Sequence, residues 1–132
     1  MSVFVDTSAL YALLDRDDRF HKAAAAAFSG MADEELVTDS YVLVETMALI
    51  QRRLGADAVR RFSHDFLPAL SVVWIDEAAH TAGAAALLAA LPTDVSLVDF
   101  VSFQVMRERD IAQAFAFDED FRAAGFRPIS PR

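Results

Sequence analysis

The sequence predicts an α/β fold whose mostly parallel sheet is covered by helices on both faces. Short runs of β-branched and aromatic residues alternate with longer segments of helical spacing, and glycine or proline stands at several of the breaks. Strands that alternate with helices need crossover connections. Such connections make neighbouring strands parallel and leave the helices on the faces of the sheet.

The predicted strands are short and apolar. The first is Val3 to Val5, which stops at Asp6, and the others lie at 36–38, 72–75, 114–117 and 127–129. Helices are predicted where apolar residues recur every three or four positions or where alanine dominates. These segments are 9–14, 20–28, 41–54, 58–66, 78–91, 97–108 and 119–124. The breaks are marked by Gly30, Gly55, Gly125 and the pair Pro92 and Thr93.

Length and composition indicate one domain, 1–132, with a single core. Hydrophobic residues make up 55% of the chain, which leaves apolar surface for a partner, and we expect a dimer. Cysteine is absent and the first residues lack the features of a signal peptide, so we expect a cytoplasmic protein. The longest uncharged run, between Glu77 and Asp94, is too short for a membrane span.

The net charge of −8 argues by itself against nucleic-acid binding, which normally needs a basic surface. Eleven of the twelve basic residues are arginine, however, and the planar guanidinium suits phosphate and carboxylate groups. Arg52 and Arg53, or Arg107 and Arg109, are candidates for positive arms. The alternative is that these arginines are solvated residues that favour helix ends.

Two carboxylates stand directly after predicted strands. Asp6 follows the first strand and Asp118 follows the strand at 114–117. Ligands of open parallel sheets bind in the crevice beyond the carboxyl ends of the strands, so both side chains are candidates for one site. The simpler interpretation is that each aspartate caps the helix that follows it.

Glu45 and Asp99 lie in helical segments among apolar neighbours, with no cation three or four positions away. We expect these carboxylates to face inward. An unpaired charge is costly there unless its pKa rises, hydrogen bonds satisfy it or a metal ion binds it. The simpler interpretations are a capping box between Ser96 and Asp99 and an arginine partner for Glu45.

The four carboxylates would form a strongly acidic pocket if they converged. Two unit charges 4 Å apart repel by about 4 kcal/mol at an effective dielectric constant of 20, so the pocket would bind protons or divalent cations. Oxygen ligands favour Mg²⁺ or Mn²⁺ over zinc, and such ions act on phosphoryl oxygens, which favours phosphodiester hydrolysis. The histidines have no metal-ligand spacing and are predicted to be surface or packing residues: His21, His64 and His80.

Four motifs, in this order, resemble the PIN-domain ribonucleases, including the VapC-type toxins of toxin-antitoxin pairs. They are VDTSAL at 5–10, VETM at 44–47, SLVDFVSF at 96–103 and FDEDF at 117–121. The resemblance runs from Val3 to about Pro128. It implies a three-layer α/β/α sandwich, a metal-dependent endoribonuclease, an RNA substrate, a small antitoxin partner and a homodimer.

The resemblance also implies roles for individual residues. The family acids that hold one or two Mg²⁺ or Mn²⁺ ions match Asp6, Glu45, Asp99 and Asp118, and the hydroxyls that support the pocket match Thr7, Ser8 and Ser96. One position departs from the family pattern. Ala116 stands where a hydroxyl is often found before the fourth acid, so Asp120 is an alternative or additional ligand to Asp118.

Other classes of protein fit less well. A phosphatase of the haloacid dehalogenase type needs an aspartate where Ser8 stands, and a phospho-receiver domain needs a late lysine, whereas the one lysine is Lys22. Two alternatives stay open: a PIN-like binding module that does not cut RNA, and a PIN nuclease of RNA processing without an antitoxin. Glu45 counts against the binding module, because a non-catalytic fold would gain stability by replacing it.

Overall fold

The computed structural model describes residues 1–129, which contain five strands. These are β1 (Ser2–Val5), β2 (Glu35–Asp39), β3 (Leu70–Val73), β4 (Gln113–Phe115) and β5 (Arg127–Pro128). They form one sheet in the order β3-β2-β1-β4-β5, and all paired strands are parallel. The predicted fold class is confirmed. The largest offsets are two residues: β3 begins and ends two residues earlier than predicted, and β4 ends two residues earlier.

Seven α-helices connect and flank the strands over the same residues. They are α1 (Thr7–Leu14), α2 (His21–Ser29), α3 (Ser40–Leu54), α4 (Ala56–Arg61), α5 (Glu77–Ala90), α6 (Leu97–Glu108) and α7 (Glu119–Ala123). The helix predicted at 58–66 is divided. After α4 the chain forms a π-helical turn over Phe62–Phe66 and a 3₁₀ turn over Leu67–Ala69, before Leu70 enters β3.

The helices form two layers. The chain moves from β1 to β3 through α1 to α4, and then crosses to β4 and β5 through α5, α6 and α7. Because crossover connections are right-handed, these two groups lie on opposite faces of the sheet. The helix contacts agree: α1 packs against α2 and α3, whereas α5 packs against α6.

The central strand β1 is buried on both faces. Val3, Phe4 and Val5 are at most 1% exposed, as expected for a continuous apolar run in a parallel sheet with two helical layers. Phe103 of α6 packs edge-on against Phe121 of α7, with ring centres 5.1 Å apart. None of the helices in the described part of the chain has both the length and the hydropathy needed to cross a bilayer.

The topology places a crevice beyond the carboxyl ends of β1 and β4. After β1 the chain adds β2 and β3 on one side of this strand. It then returns and adds β4 on the other side of β1. The crevice at such a reversal is the usual ligand site of open parallel sheets. Asp6 and Asp118 follow these two strands.

Candidate metal centre

Asp6 begins α1 at the end of β1. Its backbone is extended, and its Oδ2 accepts hydrogen bonds from the Ser8 nitrogen at 3.2 Å and the Ser8 hydroxyl at 2.8 Å. The predicted helix cap is therefore present, but the residue is also only 3% exposed. Its position in the crevice, together with this burial, makes Asp6 more than a helix cap.

Ser8 connects Asp6 to the neighbouring strand. Its hydroxyl accepts a hydrogen bond from the Phe117 nitrogen at 2.9 Å, and the Asp6 nitrogen donates to the Phe115 carbonyl at 3.1 Å. The ends of β1 and β4 are thus held together directly beside the carboxylate. Ser8 is one of the hydroxyls that the family resemblance implied, and its support of a metal site stays a prediction.

Asp118 begins α7 after β4. Its Oδ1 accepts from the Asp120 nitrogen at 2.9 Å, so the predicted cap is again present, and it turns Asp120 back towards the crevice. Both aspartates are half-buried. Ala116, which precedes them, is buried and lines a neighbouring cavity together with Phe117 and Asp118.

Asp99 lies in the first turn of α6. The Ser96 hydroxyl accepts from the Asp99 nitrogen at 3.1 Å, which is one half of the predicted capping box. The carboxylate of Asp99 is 7% exposed and faces the crevice. The inward orientation predicted for Asp99 is therefore confirmed.

The inward orientation predicted for Glu45 is wrong, because Glu45 is exposed on α3. The buried side of this helix is formed by Val42, Leu43, Thr46 and Ile50. Glu45 lies beside that stripe and borders the crevice instead. The apolar residues one turn away from Glu45 are mostly exposed or half-buried themselves. Their apolar character therefore did not show that Glu45 is buried.

A buried pair of hydroxyls sets the position of α3 relative to α1. Thr46 donates to the Thr7 hydroxyl at 3.0 Å, and both side chains are buried. Thr7 is next to Asp6, and Thr46 is next to Glu45. This contact therefore holds two acids from different helices at one crevice.

These elements enclose one open pocket of about 340 Å³. Its lining contains all the predicted acids and hydroxyls: Asp6, Thr7, Ser8, Glu45, Ser96, Asp99, Asp118 and Asp120. Two further lining residues, Leu49 and Asp94, were not predicted. Leu49 lies one turn after Glu45, so helix spacing could have indicated it. Asp94 is an acid just before the Ser96 cap, and that position was the available signal for it.

Burial and mutual repulsion raise the pKa values of three of the pocket acids, Asp6, Asp99 and Asp120. Burial raises the pKa of Asp6 to about 6, although hydrogen bonds from Ser8 act in the opposite direction. Burial, followed by the charges of Asp6, Asp118 and Asp120, raises the pKa of Asp99 to about 8. The pKa of Asp120 is also raised, by burial and then by the Asp118 charge. The described residues place no arginine, lysine or histidine in an ion pair with these acids.

The donor set fits a hard divalent cation. One carboxylate oxygen each from Asp99, Asp118 and Asp120 lies within 4.8 Å of the other two. Asp6 and Glu45 border the same pocket but are not part of this group of three. Clustered carboxylate oxygens without a protein cation are the ligands that Mg²⁺ and Mn²⁺ prefer.

Another buried aspartate, Asp39, has the same sequence pattern but a different role. It follows β2 and caps α3, where its side chain accepts from the nitrogens of Tyr41 and Val42 and from the Ser102 hydroxyl. Burial raises its pKa, yet it does not line the acidic pocket. A strand followed by aspartate is therefore not sufficient to identify a site residue.

The histidines lie outside the pocket. The Nδ1 atom of His21 is 2.7 Å from the Ala12 carbonyl, and His80 is hydrogen-bonded to the Tyr41 hydroxyl. His64 is exposed on the π-helical turn. None of them adds a nitrogen ligand to the acids.

Comparison with known proteins gives one consistent family. The PIN domain family matches residues 3–127 of this chain. The 23S rRNA-specific endonuclease VapC20 of Mycobacterium tuberculosis, from strains CDC 1551 and H37Rv, is 34% identical over 98% of this chain and 98% of its own length.

Solved structures agree. The crystal structure of Mycobacterium tuberculosis VapC20, described as a sarcin-ricin loop cleaving toxin, has a TM-score of 0.90 at 33% identity and covers 98% of this chain and all of its own. VapBC2 from Rickettsia felis, crystallised with a DNA fragment from its promoter, has a TM-score of 0.73 at 11% identity, with 97% of each chain covered. The second likeness concerns the fold alone.

Proposed function

The chain belongs to the PIN domain family, and from this premise we propose that it is a toxin that hydrolyses RNA phosphodiester bonds with a divalent cation. The observation that carries the proposal is the convergence of Asp99, Asp118 and Asp120 within 4.8 Å, beside a buried Asp6 and with no cation of residues 1–129 paired to them. A structural cluster of this kind would be neutralised by arginine or lysine.

The cation is Mg²⁺ or Mn²⁺, held by Asp99, Asp118 and Asp120, with Asp6 and Glu45 as further ligands where a second ion binds. When bound, such an ion supplies Lewis-acid chemistry at a phosphate oxygen and offsets the negative charge of the pocket.

The protein's own groups orient the reactants. Ser8 fixes Asp6 by two hydrogen bonds, so this carboxylate keeps one orientation in the pocket. Glu45 is exposed at the pocket edge, where it can accept a proton from an attacking water. The pocket is open to solvent along one side, which allows a polynucleotide to pass across it.

The substrate class follows from the relative. VapC20 is named for 23S rRNA and described as cleaving the sarcin-ricin loop. We assign a loop of the large ribosomal RNA to this chain as well, because the two proteins align over 98% of their lengths. This substrate requires a cytoplasmic protein.

Two protein partners belong to the proposal. The first is a small antitoxin, for which the unpaired acidic pocket offers a site for a basic side chain. The second is another copy of this chain. Large apolar side chains that a monomer would expose are Val44, Trp74, Leu88 and Leu91.

The test is cleavage of labelled ribosomal RNA fragments with Mg²⁺ or Mn²⁺ and with a chelator. Wild-type protein should cut only with the ion, and Asp99→Asn and Glu45→Gln should abolish cutting while the circular dichroism spectrum is retained. The matched controls are Asp33→Asn and Glu108→Gln, two exposed acids outside the pocket. Cutting in chelator, or equal cutting by the pocket variants, would remove the case for this site.

A further inference from the structure

A second cavity adjoins the acidic pocket on its α7 side. It has a volume of about 180 Å³ and shares Asp118 with the pocket. We call it the aromatic cavity. It is lined by Phe20, Ala116, Phe117, Asp118, Glu119, Arg122, Pro128 and Ile129. Because one residue belongs to both linings, a strand that crosses the pocket can continue directly into this cavity.

Two phenylalanines form the apolar side of the aromatic cavity. The rings of Phe20, before α2, and Phe117, after β4, are stacked with their centres 4.6 Å apart. Both residues are half-buried, and the Arg19 guanidinium carbon lies 4.5 Å from the Phe20 ring centre. Aromatic rings and guanidinium planes are the groups on which the bases of single-stranded RNA stack. The cavity therefore fits a neutral base better than a phosphate, which the carboxylates of Asp118 and Glu119 would repel.

A basic cleft of about 600 Å³ follows the aromatic cavity. We call it the arginine cleft. It is lined by Arg122, Gly125, Phe126, Arg127 and Pro128. The cleft shares Arg122 and Pro128 with the aromatic cavity. Among residues 1–129 its lining has two guanidinium groups and no carboxylate, so this surface is locally basic in a protein whose net charge is −8.

The turn after α7 brings the two arginines of the cleft together. Gly125 has a φ of 100°, a left-handed conformation that suits glycine, and its nitrogen donates to the Arg122 carbonyl at 3.0 Å. The chain then enters β5, which begins with Arg127. A third guanidinium group, of Arg107, lies 5.4 Å from the ring centre of Phe126 at the same cleft. Guanidinium groups arranged in this way match the oxygens of a phosphate.

Neither arginine of the cleft lining is held in a strong ion pair within the described structure. The Arg122 Nε atom lies 3.6 Å from a Glu119 oxygen, but both side chains are largely exposed, and exposed pairs contribute little. Arg127 is exposed and makes no ion pair with residues 1–129. Both guanidinium groups therefore keep N–H donors for a ligand.

We propose that this surface binds the RNA nucleotide next to the cleaved bond, with its base in the aromatic cavity and the phosphate on its far side at Arg122 and Arg127. This inference rests on the proposed function, since it concerns how the same substrate is held. Arg122 lies four residues after Asp118, about 6 Å along the helix, a step that one nucleotide of an extended strand can span. Metal centre, aromatic cavity and arginine cleft thus follow one another in the order phosphate, base, phosphate.

Fluorescence anisotropy in chelator, with a labelled RNA stem-loop that wild-type protein cuts in Mn²⁺, tests the arginine cleft without cleavage. The cleft variant is Arg122→Gln with Arg127→Gln. The matched control is Arg52→Gln with Arg53→Gln, which removes the same charge from exposed positions at the end of α3. We expect the cleft variant to bind about tenfold more weakly and the control to bind like wild type. The slope of log affinity against log salt should decrease by about 0.7, the value for one phosphate contact on a single strand.

RNAs that each lack one base of the same stem-loop test the aromatic cavity. Wild-type protein should bind the RNA without the base beside the cleaved bond about fivefold more weakly than intact RNA, because the stacking contact is lost. Phe20→Leu, which keeps apolar volume but removes the ring, should bind the intact and the abasic RNA alike. The control is Phe28→Leu, a half-buried phenylalanine of α2 that packs against Phe66 outside the cavity.

Equal affinity of the cleft variant and its control would overturn the proposal. It would also be overturned if no abasic position weakened wild-type binding, or if the abasic penalty remained in Phe20→Leu. If wild-type protein neither binds nor cuts RNA, the proposed function fails; if it cuts RNA and the cleft variant binds normally, this inference alone fails. Should Phe20→Leu not fold, the exposed arginine variants still decide the proposal.

Discussion

The hydroxyl of Ser8 accepts a hydrogen bond from the backbone nitrogen of Phe117 at 2.9 Å, across the junction between the first helix and the end of β4. The same hydroxyl donates to Asp6 at 2.8 Å. One small side chain therefore links a buried acid to the strand that carries Asp118. This arrangement makes the site dependent on hydrogen bonds behind the acids as well as on the acids themselves.

Ser8→Ala should lower the free energy of unfolding by about 1–3 kcal/mol, because the half-buried Phe117 nitrogen and the buried Asp6 carboxylate each lose a partner. It should also reduce cleavage, since Asp6 then keeps only the hydrogen bond from the backbone nitrogen of residue 8. Urea unfolding and the cleavage rate measure the two effects. Ser29→Ala, which removes an exposed hydroxyl bonded to the Ala25 carbonyl, is the control and should change neither.

Rising pH should destabilise the metal-free protein. Burial and neighbouring charges raise the pKa of Asp99 to about 8, and burial raises that of Asp6 to about 6, from the usual 3.8. Between the usual pKa and the raised pKa of each aspartate, the folded state binds more protons than the unfolded chain. The free energy of unfolding therefore decreases as pH rises. The contribution is complete below pH 3.8 and is lost as pH passes about 6 for Asp6 and about 8 for Asp99.

Thermal unfolding in chelator from pH 4 to pH 9 measures this dependence. Asp99→Asn should remove most of the decrease in melting temperature above pH 6. At pH 8 it should raise the melting temperature by about 5 °C or more. Mn²⁺ should stabilise wild-type protein at pH 8 but not this variant. A melting temperature of the wild type that does not change with pH would contradict the repulsion between the acids.

Asp118→Asn and Asp120→Asn should each weaken Mn²⁺ binding at least about tenfold. Substitutions of residues that only support a metal ligand already lower metal affinity by about 10–100-fold. Asparagine also caps helices well, so Asp118→Asn should retain α7. Isothermal titration calorimetry measures the affinities, with the exposed Glu119→Gln as a control. Wild-type affinity in one aspartate variant would remove that residue from the ligand set.

Gly83→Ala should destabilise the contact between α5 and α6 by about 1–3 kcal/mol, although alanine favours helix formation. A Cβ atom at this position would clash with Val101 Cγ2 and would lie 3.3 Å from the Val101 backbone. Combining it with Val101→Ala should recover part of the loss. Gly30→Ala is the control, because its nearest contact would be an ordinary 3.5 Å. A neutral Gly83→Ala would show that α5 can shift away from α6.

The sequence determined the fold class and most of the acids. Apolar runs alternating with helical periods require a parallel sheet with helices on both faces, and the positions of Asp6 and Asp118 after strands follow from the same pattern. Four separate motifs located the remaining candidates. These features are local, so they can be read along the chain.

Tertiary packing decided which side chains face the pocket and which are exposed. Helical spacing shows that Glu45 shares a side with apolar residues, but only the docking of α3 on α1 leaves that side at the edge of the crevice. The turn at Asp118 brings in Asp120, and the approach of α6 brings in Asp99 and Asp94. The physical reason is that periodicity defines a face of a helix, whereas its burial and electrostatic surroundings depend on elements far away in the chain.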